Sequence, residues 1–503
     1  MEQSAKTRGA ERSLYYVLMA GIILGFTLRF VGLGVHSLWV DELLTLKNAH
    51  IGEPGILSWV KQNLQGPAIS LMMHYWAGLG TTEVVLRLPF AVAGALTIPA
   101  TYLLVRELAG RWTGLSTAFL LALSPIHIWY SQEIRGYAFV MLFSVLATYF
   151  FVEWRKEGSP RSLALYALMV FGGLLCNLSM AFLALVHFLY LLLRRRRPRE
   201  IAWWLAAMCV VLIAFSPWLQ EIMARVHPER VVTGEVETSL ISGSELSAMA
   251  IPYSVYVFGV GYTLGPSKRD LQVEREASLR RDAPYILLGT VAAGIPLLVG
   301  LVGAARSDRN LLTLVLLWLA VPALVVTVLA ARNIRVFNPR YLLVALPAYV
   351  LLLGTGAARM SRTRFAVLLL PLLIAVTLSI HNYYSDPHYA KDDFRAAAQA
   401  IRADYRPGDT VVGVYSSEPL EFYLSGLADV HVYSRDDMAS RESMEARSRQ
   451  LAEKGKRVWL SLCRTWQVDP NGYIHAWFED NLDRLEYHSF AGVDIILYGR
   501  RGI

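Results

Sequence analysis

The sequence predicts a polytopic α-helical membrane protein that ends in a separate exported α/β domain. Three observations carry that prediction. Of the 503 residues, 55% are hydrophobic and only 17% are charged, where an ordinary soluble domain holds about 25% charged residues. Apolar runs of near the roughly 20 residues needed to cross about 30 Å of hydrocarbon recur from Leu14 to Tyr384 and then stop. Beyond Tyr384 the pattern becomes that of a soluble layered domain. A plain cytosolic enzyme is excluded.

About eleven apolar runs qualify: 14–34, 84–105, 112–129, 136–154, 162–177, 179–193, 201–219, 284–304, 311–331, 341–358 and 365–384. The fifth and sixth are short, and Asn177, Leu178 and Ser179 between them read either as a loop joining two full helices or as the break in one re-entrant pair. The first run is longer than a signal-peptide core and lacks a small-residue cleavage site, so it is expected to stay as a helix.

Charge orients the chain. The N-terminal tail and every second gap carry 18 basic residues against six acidic ones, including Lys6, Arg8, Arg12, Arg155, Lys156, Arg194–Arg197 and Arg362. Lys and Arg collect in cytoplasmic loops, so the N-terminus is expected inside. An odd number of crossings then puts the C-terminal domain outside, together with two long outer loops, 35–83 and 220–283. The net charge of +8 is an orientation signal, because the residues outside those cytoplasmic segments hold fewer basic than acidic side chains. It gives no argument for nucleic acid as a partner.

The domain division expected is a membrane core over 1–384 and an extracytoplasmic domain over 385–503. In the latter, "DTVVGVYSS", "ADVHVYS", "KRVWLSLC" and "VDIILYG" alternate like strands, while "DFRAAAQAIRADY" and "SMEARSRQLAEKG" are amphipathic helices. Strands alternating with helices imply an α/β layer domain. The three cysteines, two in hydrophobic runs and one in the exported part, frame neither a disulfide set nor a metal cluster.

Candidate chemistry lies at the outer ends of the helices. Asp41 and Glu42 follow the first run; adjacent carboxylates in a partly enclosed cleft serve as a base or hold a metal, although acidic residues are also common in exported loops. "WYSQEIRGYA" supplies Glu133, Arg135 and Tyr137, where the aromatics also suit an interfacial belt. Glu133 and Tyr137 share a face if the helix starts early. "RNIRVFNPRYLL" places Arg332, Arg335 and Arg340 in an outer loop, against the usual bias, so they need an anionic partner. A guanidinium suits bidentate phosphate binding, and a structural ion pair is the alternative. Arg87 in "RLP" fits the same role or snorkels to headgroups.

"LRFVGLGVHSLWVDELLTL", "GPAISLMMHYWAGLGTTEVVLRLPFAVAGALTIPATYLLVREL", "LALSPIHIWYSQEIRGYA" and "NPRYLLVALPA" together resemble the successive signatures of the bacterial GT-C glycosyltransferases. The nearest likeness is to the protein O-mannosyltransferase and lipid A aminoarabinose transferase group. The resemblance covers about Leu28 to Tyr341 and, more loosely, the exported domain. It implies a GT-C fold in the inner (cytoplasmic) membrane and transfer of a sugar from a polyprenyl (undecaprenyl) phosphate to a hydroxyl acceptor on the outer side. The acceptor is an envelope glycan, a glycolipid or a protein. It further implies Asp41 as the base, Glu42 as its helper, Glu133 as the second acidic site, and Arg340 with Tyr341 on the lipid phosphate, with Arg135 and Arg87 as further phosphate candidates. Residues 220–283 are then expected to form a loop over donor and acceptor.

One departure stands out. The aminoarabinose transferases carry an acidic residue and a Lys before a Pro-Pro step, whereas this chain has Gln65, Gly66 and Pro67. No metal site is therefore assigned; a divalent metal, if used, has only His74, His36 and Glu42 as weak candidate ligands, and Lys47 is a weak substitute for the missing Lys. The alternative class is a polytopic transporter or lipid flippase, for which intramembrane charges are expected rather than charges at outer helix ends.

Overall fold

The computed structural model describes residues 2–49, 66–194, 198–225, 248–332, 337–358, 361–414, 418–434 and 436–501. Gln65, Arg195, Arg196, Arg197, Arg335 and Arg359 lie outside the described residues, as do 50–65 and 226–247 of the two long outer loops. The described residues form two compact units. One falls within Met1–Leu33, Asn48–Val236 and Ser244–Tyr384; the other comprises Gly34–Lys47 and the chain from Ser385 onward. The segment expected as a single outer loop of the membrane core, 35–83, is thus divided, and its acidic part groups with the C-terminal domain.

The first unit is helical: α1 (Glu2–Leu28), then, after α2 (Val40–Ala49) of the second unit, α3 (Pro67–Trp76), α4 (Glu83–Ala109), α5 (Arg111–Ala122), α6 (Pro125–Ser131), α7 (Tyr137–Glu157), α8 (Pro160–Cys176), α9 (Met180–Leu193), α10 (Pro198–Arg225), α11 (Ala250–Val260), α12 (Lys268–Val273), α13 (Arg275–Arg281), α14 (Ala283–Ser307), α15 (Arg309–Ala331), α16 (Leu346–Ala358) and α17 (Arg362–Ser385). Among the described residues, seven helices are long and apolar enough to cross a membrane, and four shorter ones are apolar. The chain is a multi-pass membrane protein. Its caps are local: the Thr82 hydroxyl accepts from the Val85 amide at 3.4 Å, Asp308 accepts from Asn310 N at 2.7 Å, and proline opens α3, α6 and α8, where its missing N–H costs nothing.

Two expectations change and one open alternative is resolved. The run 112–129 is two helices, because Pro125 cannot donate into the preceding turn and its ring collides with the residue 121 carbonyl. The carbonyls released there are taken by buried Arg29, whose Nη2 and Nη1 lie 3.0 and 2.9 Å from the oxygens of Leu121 and Ala122. The pair around Asn177 is two helices of 17 and 14 residues, about 26 and 21 Å long at 1.5 Å per residue, with extended Asn177 accepting from Ser179 N at 3.0 Å. The described part of 220–283 is mostly helical; Val257 to Val260 of α11 are buried.

The second unit holds one mixed sheet of β1 (Thr410–Gly413), β2 (Val430–Val432), β3 (Arg457–Cys463), β4 (Leu482–Phe490) and β5 (Val493–Arg500), in the order β2-β1-β3-β5-β4. The first three are parallel, and β5 and β4 run antiparallel. Val412, Leu460 and Ile496 pack on the helices Arg441–Lys454 and Tyr473–Asn481. Val411, Trp459 and Ile495 pack on the opposite face against Phe394–Asp404. Side chains alternate across strands, so these two sets make a helix-sheet-helix sandwich.

Arg457 closes the edge of this domain, 2.6 Å from Asp404 and 2.7 Å from Asp409. Hydrogen bonds from Arg457 hold the Asp404 carboxyl below the usual range. Burial pushes Asp409 up, but Arg457, the Arg406 amide and the Trp459 indole outweigh it and hold that carboxyl low as well. Both groups bind protons less readily when folded, so the stabilisation is full at neutral pH and is lost as pH falls through the lowered folded values. Arg457→Met should speed hydrogen exchange in β1 and β3 at pH 7. That difference from wild type should vanish in acid, and a difference independent of pH would refute the linkage.

Candidate active site

Between α6 and α7 the chain makes a five-residue turn, Gln132 to Gly136, in which the Arg135 amide donates to the Glu133 carbonyl at 2.7 Å. The helix begins only at Tyr137, so Glu133 and Tyr137 do not share a helical face as an early start would have allowed. Gln132 anchors the turn. Its amide nitrogen lies 2.9, 3.2 and 2.7 Å from the carbonyl oxygens of Leu28, Arg29 and Val31, and its own oxygen accepts from Tyr383 at 3.0 Å. Tyr384 adds a 2.6 Å bond to Leu28 O, and His127 Nδ1 lies 2.8 Å from Arg29 Nη2. This lattice fixes the end of α1 to the turn.

Glycine is required at the back of the turn. A Cβ on Gly136 would stand 2.3 Å from the Cys176 carbonyl oxygen, and one on Gly66 2.4 Å from the same atom. Gly66 also has φ of +87°, which disfavours any side chain. Gly136→Ala must therefore displace the end of α8 or the turn itself. The expected result is a lower thermal midpoint and weaker transfer together; an unchanged midpoint would show the backbone there to be free to yield.

In front of the turn, Glu133 is buried. It lies in a cluster with Tyr130, Tyr137, Tyr262 and Arg340, all within electrostatic range of the Tyr130 hydroxyl. The Tyr130 and Tyr262 hydroxyls are 3.3 Å apart, and the Tyr130 and Tyr137 rings are 5.1 Å apart. Lys268, at the start of α12, stands 3.8 Å from the Tyr262 ring centre and 5.0 Å from that of Trp129, within cation–π range. Glu133 and Arg340 thus both act on the Tyr130 and Tyr262 hydroxyls, and a second cation lies over the Tyr262 ring. Such a set can bind a phosphate through its cations and hydroxyls while the carboxylate orients a guanidinium or a sugar hydroxyl.

Arg340 and Tyr341 open a 3-10 turn, Pro339–Ala345, rather than an α-helix. Asn338 Oδ1 caps it by accepting from Arg340 N at 3.1 Å, and the guanidinium lies over the Tyr341 ring at 5.4 Å. Arg87 is placed differently: it is buried and donates to Leu33 O at 2.7 Å, a fastening of α4 to the chain after α1. Arg135 is half-buried beside the cluster's turn. Lys268 was not anticipated. The signal lay in the sequence, since Lys268, like Arg340, falls in a segment expected to be an outer loop, where a cation runs against the topological bias.

The acidic pair belongs to the second unit. Asp41 and Glu42 occupy the first turn of α2, where the helix dipole favours negative charge. Their environments differ. Glu42 is fully buried, and its Oε2 accepts from the Trp39 amide at 3.4 Å, a capping role. Asp41 is half-buried. Lys47 ends 3.9 Å from Glu418. Exposed His74 directs Nδ1 to Ala49 O at 2.8 Å. Among the described residues no three His, Cys, Asp or Glu side chains gather as a metal ion needs.

Residues 65–220 match the family model described as dolichyl-phosphate-mannose-protein mannosyltransferase. No sequence among curated proteins matches the chain. Among solved structures, ArnT from Cupriavidus metallidurans bound to undecaprenyl phosphate aligns at 14% identity and a TM-score of 0.56, covering 95% of this chain and 97% of that one. The Archaeoglobus fulgidus oligosaccharyltransferase tethered with an acceptor peptide aligns at 10% identity and 0.54, covering 96% and 74%. The oligosaccharyltransferase AglB from the same organism, in complex with an inhibitory peptide and a dolichol-phosphate, aligns at 11% and 0.53, covering 97% and 74%. Over nearly its whole length the chain shares the fold of these membrane proteins, and its residues 65–220 carry a segment of the mannosyltransferase family.

Proposed function

We propose that the protein transfers one sugar, with inversion, from a polyprenyl phosphate to a hydroxyl acceptor at the outer face of the inner membrane. In this reading the N-terminus is cytoplasmic and the C-terminal domain extracytoplasmic. The observation that supports it is that Arg340 and Glu133 both act on the Tyr130 and Tyr262 hydroxyls while Lys268 lies over the Tyr262 ring, a combination of cations and hydroxyls suited to a phosphate. The undecaprenyl phosphate bound to ArnT, the dolichol-phosphate bound to AglB and the peptide tethered to the Archaeoglobus enzyme support the donor and acceptor classes.

The chemistry is an in-line displacement. The acceptor oxygen forms a bond to the anomeric carbon as the bond from that carbon to the phosphate oxygen breaks. The acceptor proton goes to the Asp41 carboxylate, and the polyprenyl phosphate leaves with the extra negative charge. Arg340, backed by Tyr341 and Lys268, neutralises that charge, which grows towards the transition state and so is stabilised most there. Glu133 holds the arginine fork or a donor hydroxyl. Purified protein offered a panel of radiolabelled polyprenyl-phosphate sugars should release label to a hydroxyl acceptor, and failure to bind any polyprenyl phosphate refutes the proposal.

A further inference from the structure

The helix that carries Asp41 is fastened by residues more than 350 positions away in the sequence. Ahead of α2 the chain from Gly34 to Trp39 is non-helical, so its backbone polar groups need partners from elsewhere. Arg395 supplies two, its Nη1 and Nη2 donating to the carbonyls of Gly34 and Val35 at 2.9 and 2.8 Å. The Tyr423 hydroxyl accepts from the Leu38 amide at 2.8 Å, and the Ser37 hydroxyl donates to the Asp392 carbonyl at 2.7 Å. The Trp39 ring lies 5.6 Å from Lys391 Nζ and 5.9 Å from the Arg464 guanidinium. Arg464 is itself held 2.9 Å from Asp392 in a left-handed conformation, φ of +46°, strain that only a well-packed surrounding sustains.

We infer that the C-terminal domain positions the acceptor's base, with Arg395 and Tyr423 as positioning residues for Asp41. The inference rests on the reading of Asp41 as that base. Leu38 lies two residues before α2 begins, so the bonds to Gly34, Val35 and Leu38 set where and in which direction the helix starts, and Asp41 occupies its first turn. The exposed Lys47 to Glu418 pair at the far end adds little. A fused exported domain then has a catalytic reason to exist: without it the acidic segment has no template for its entry, and a misplacement of about 1 Å costs on the order of 100-fold in rate.

The test uses full-length protein carrying Tyr423→Phe, Arg395→Ala or Arg395→Lys, each alone and combined with Asp41→Asn. Amide exchange is followed in residues 38–47, in β1 and in β3, and kcat and donor KM are measured with a polyprenyl-phosphate sugar that is turned over. Arg395→Ala should speed exchange in 38–47 while β1 and β3 stay protected. It should lower kcat by roughly 10- to 100-fold with donor KM unchanged, and Arg395→Lys should restore part of the rate. In the Asp41→Asn background it should add no further loss, because the two act through one group. An equal fall in both backgrounds means a merely structural role and overturns the inference, as does a wild-type rate in Arg395→Ala and Tyr423→Phe when Asp41→Asn is inactive. If Asp41→Asn alone keeps the wild-type rate, the base reading is what has failed.

Discussion

Asp41→Asn is expected to slow sugar transfer by about 10²- to 10⁴-fold, the range a positioned general base contributes, with donor affinity unchanged. The substitution keeps shape and removes only the ability to take a proton. The structure separates the two neighbouring carboxylates: Glu42 is fully buried against the Trp39 amide, while Asp41 is half-buried. Glu42→Gln should therefore act chiefly on the stability of α2. Single-turnover transfer with bound donor distinguishes the two, since a loss made in the chemical step appears there undiminished. Transfer by Asp41→Asn at the wild-type rate removes the base from the mechanism.

Arg340→Ala is expected to weaken donor binding and also to lower kcat by about 10²- to 10³-fold, as the loss of a preorganised group at a developing charge does. Arg340→Lys should recover charge without the planar fork, and so recover binding more than rate. Arg340 and Lys268 approach the same phenols from different parts of the chain. Lys268→Ala should therefore give a smaller loss of the same kind, and the double variant should be non-additive. A donor KM and kcat untouched by Arg340→Ala would assign that arginine to a structural pair.

Legibility differed by element. No half-buried strand pattern marks β4: its Asp483, Arg484, Leu485, Glu486 and Tyr487 are all exposed on an edge strand, where charge guards against edge pairing. The break at Ser124 was carried by Pro125 yet hidden by unbroken hydrophobicity from 112 to 129. Arg29 is a lone cation near a helix end, and nothing adjacent to it in the sequence marks what it binds. Only the fold reveals that it serves the carbonyls freed by Pro125.

Membrane class, the α/β character of the C-terminal domain and the residue types at the helix ends were determined by sequence alone, because hydropathy and side-chain period are local or additive along the chain. Tertiary structure decided which of those residues meet. Glu133 and Arg340, 207 positions apart, both act on the Tyr130 hydroxyl, Lys268 lies over the Tyr262 ring, and Arg87 donates to the Leu33 carbonyl. It also gave the Asp41 segment to the C-terminal domain, since hydrogen bonds such as Arg395 to Gly34 join groups whose separation along the chain leaves no periodic trace.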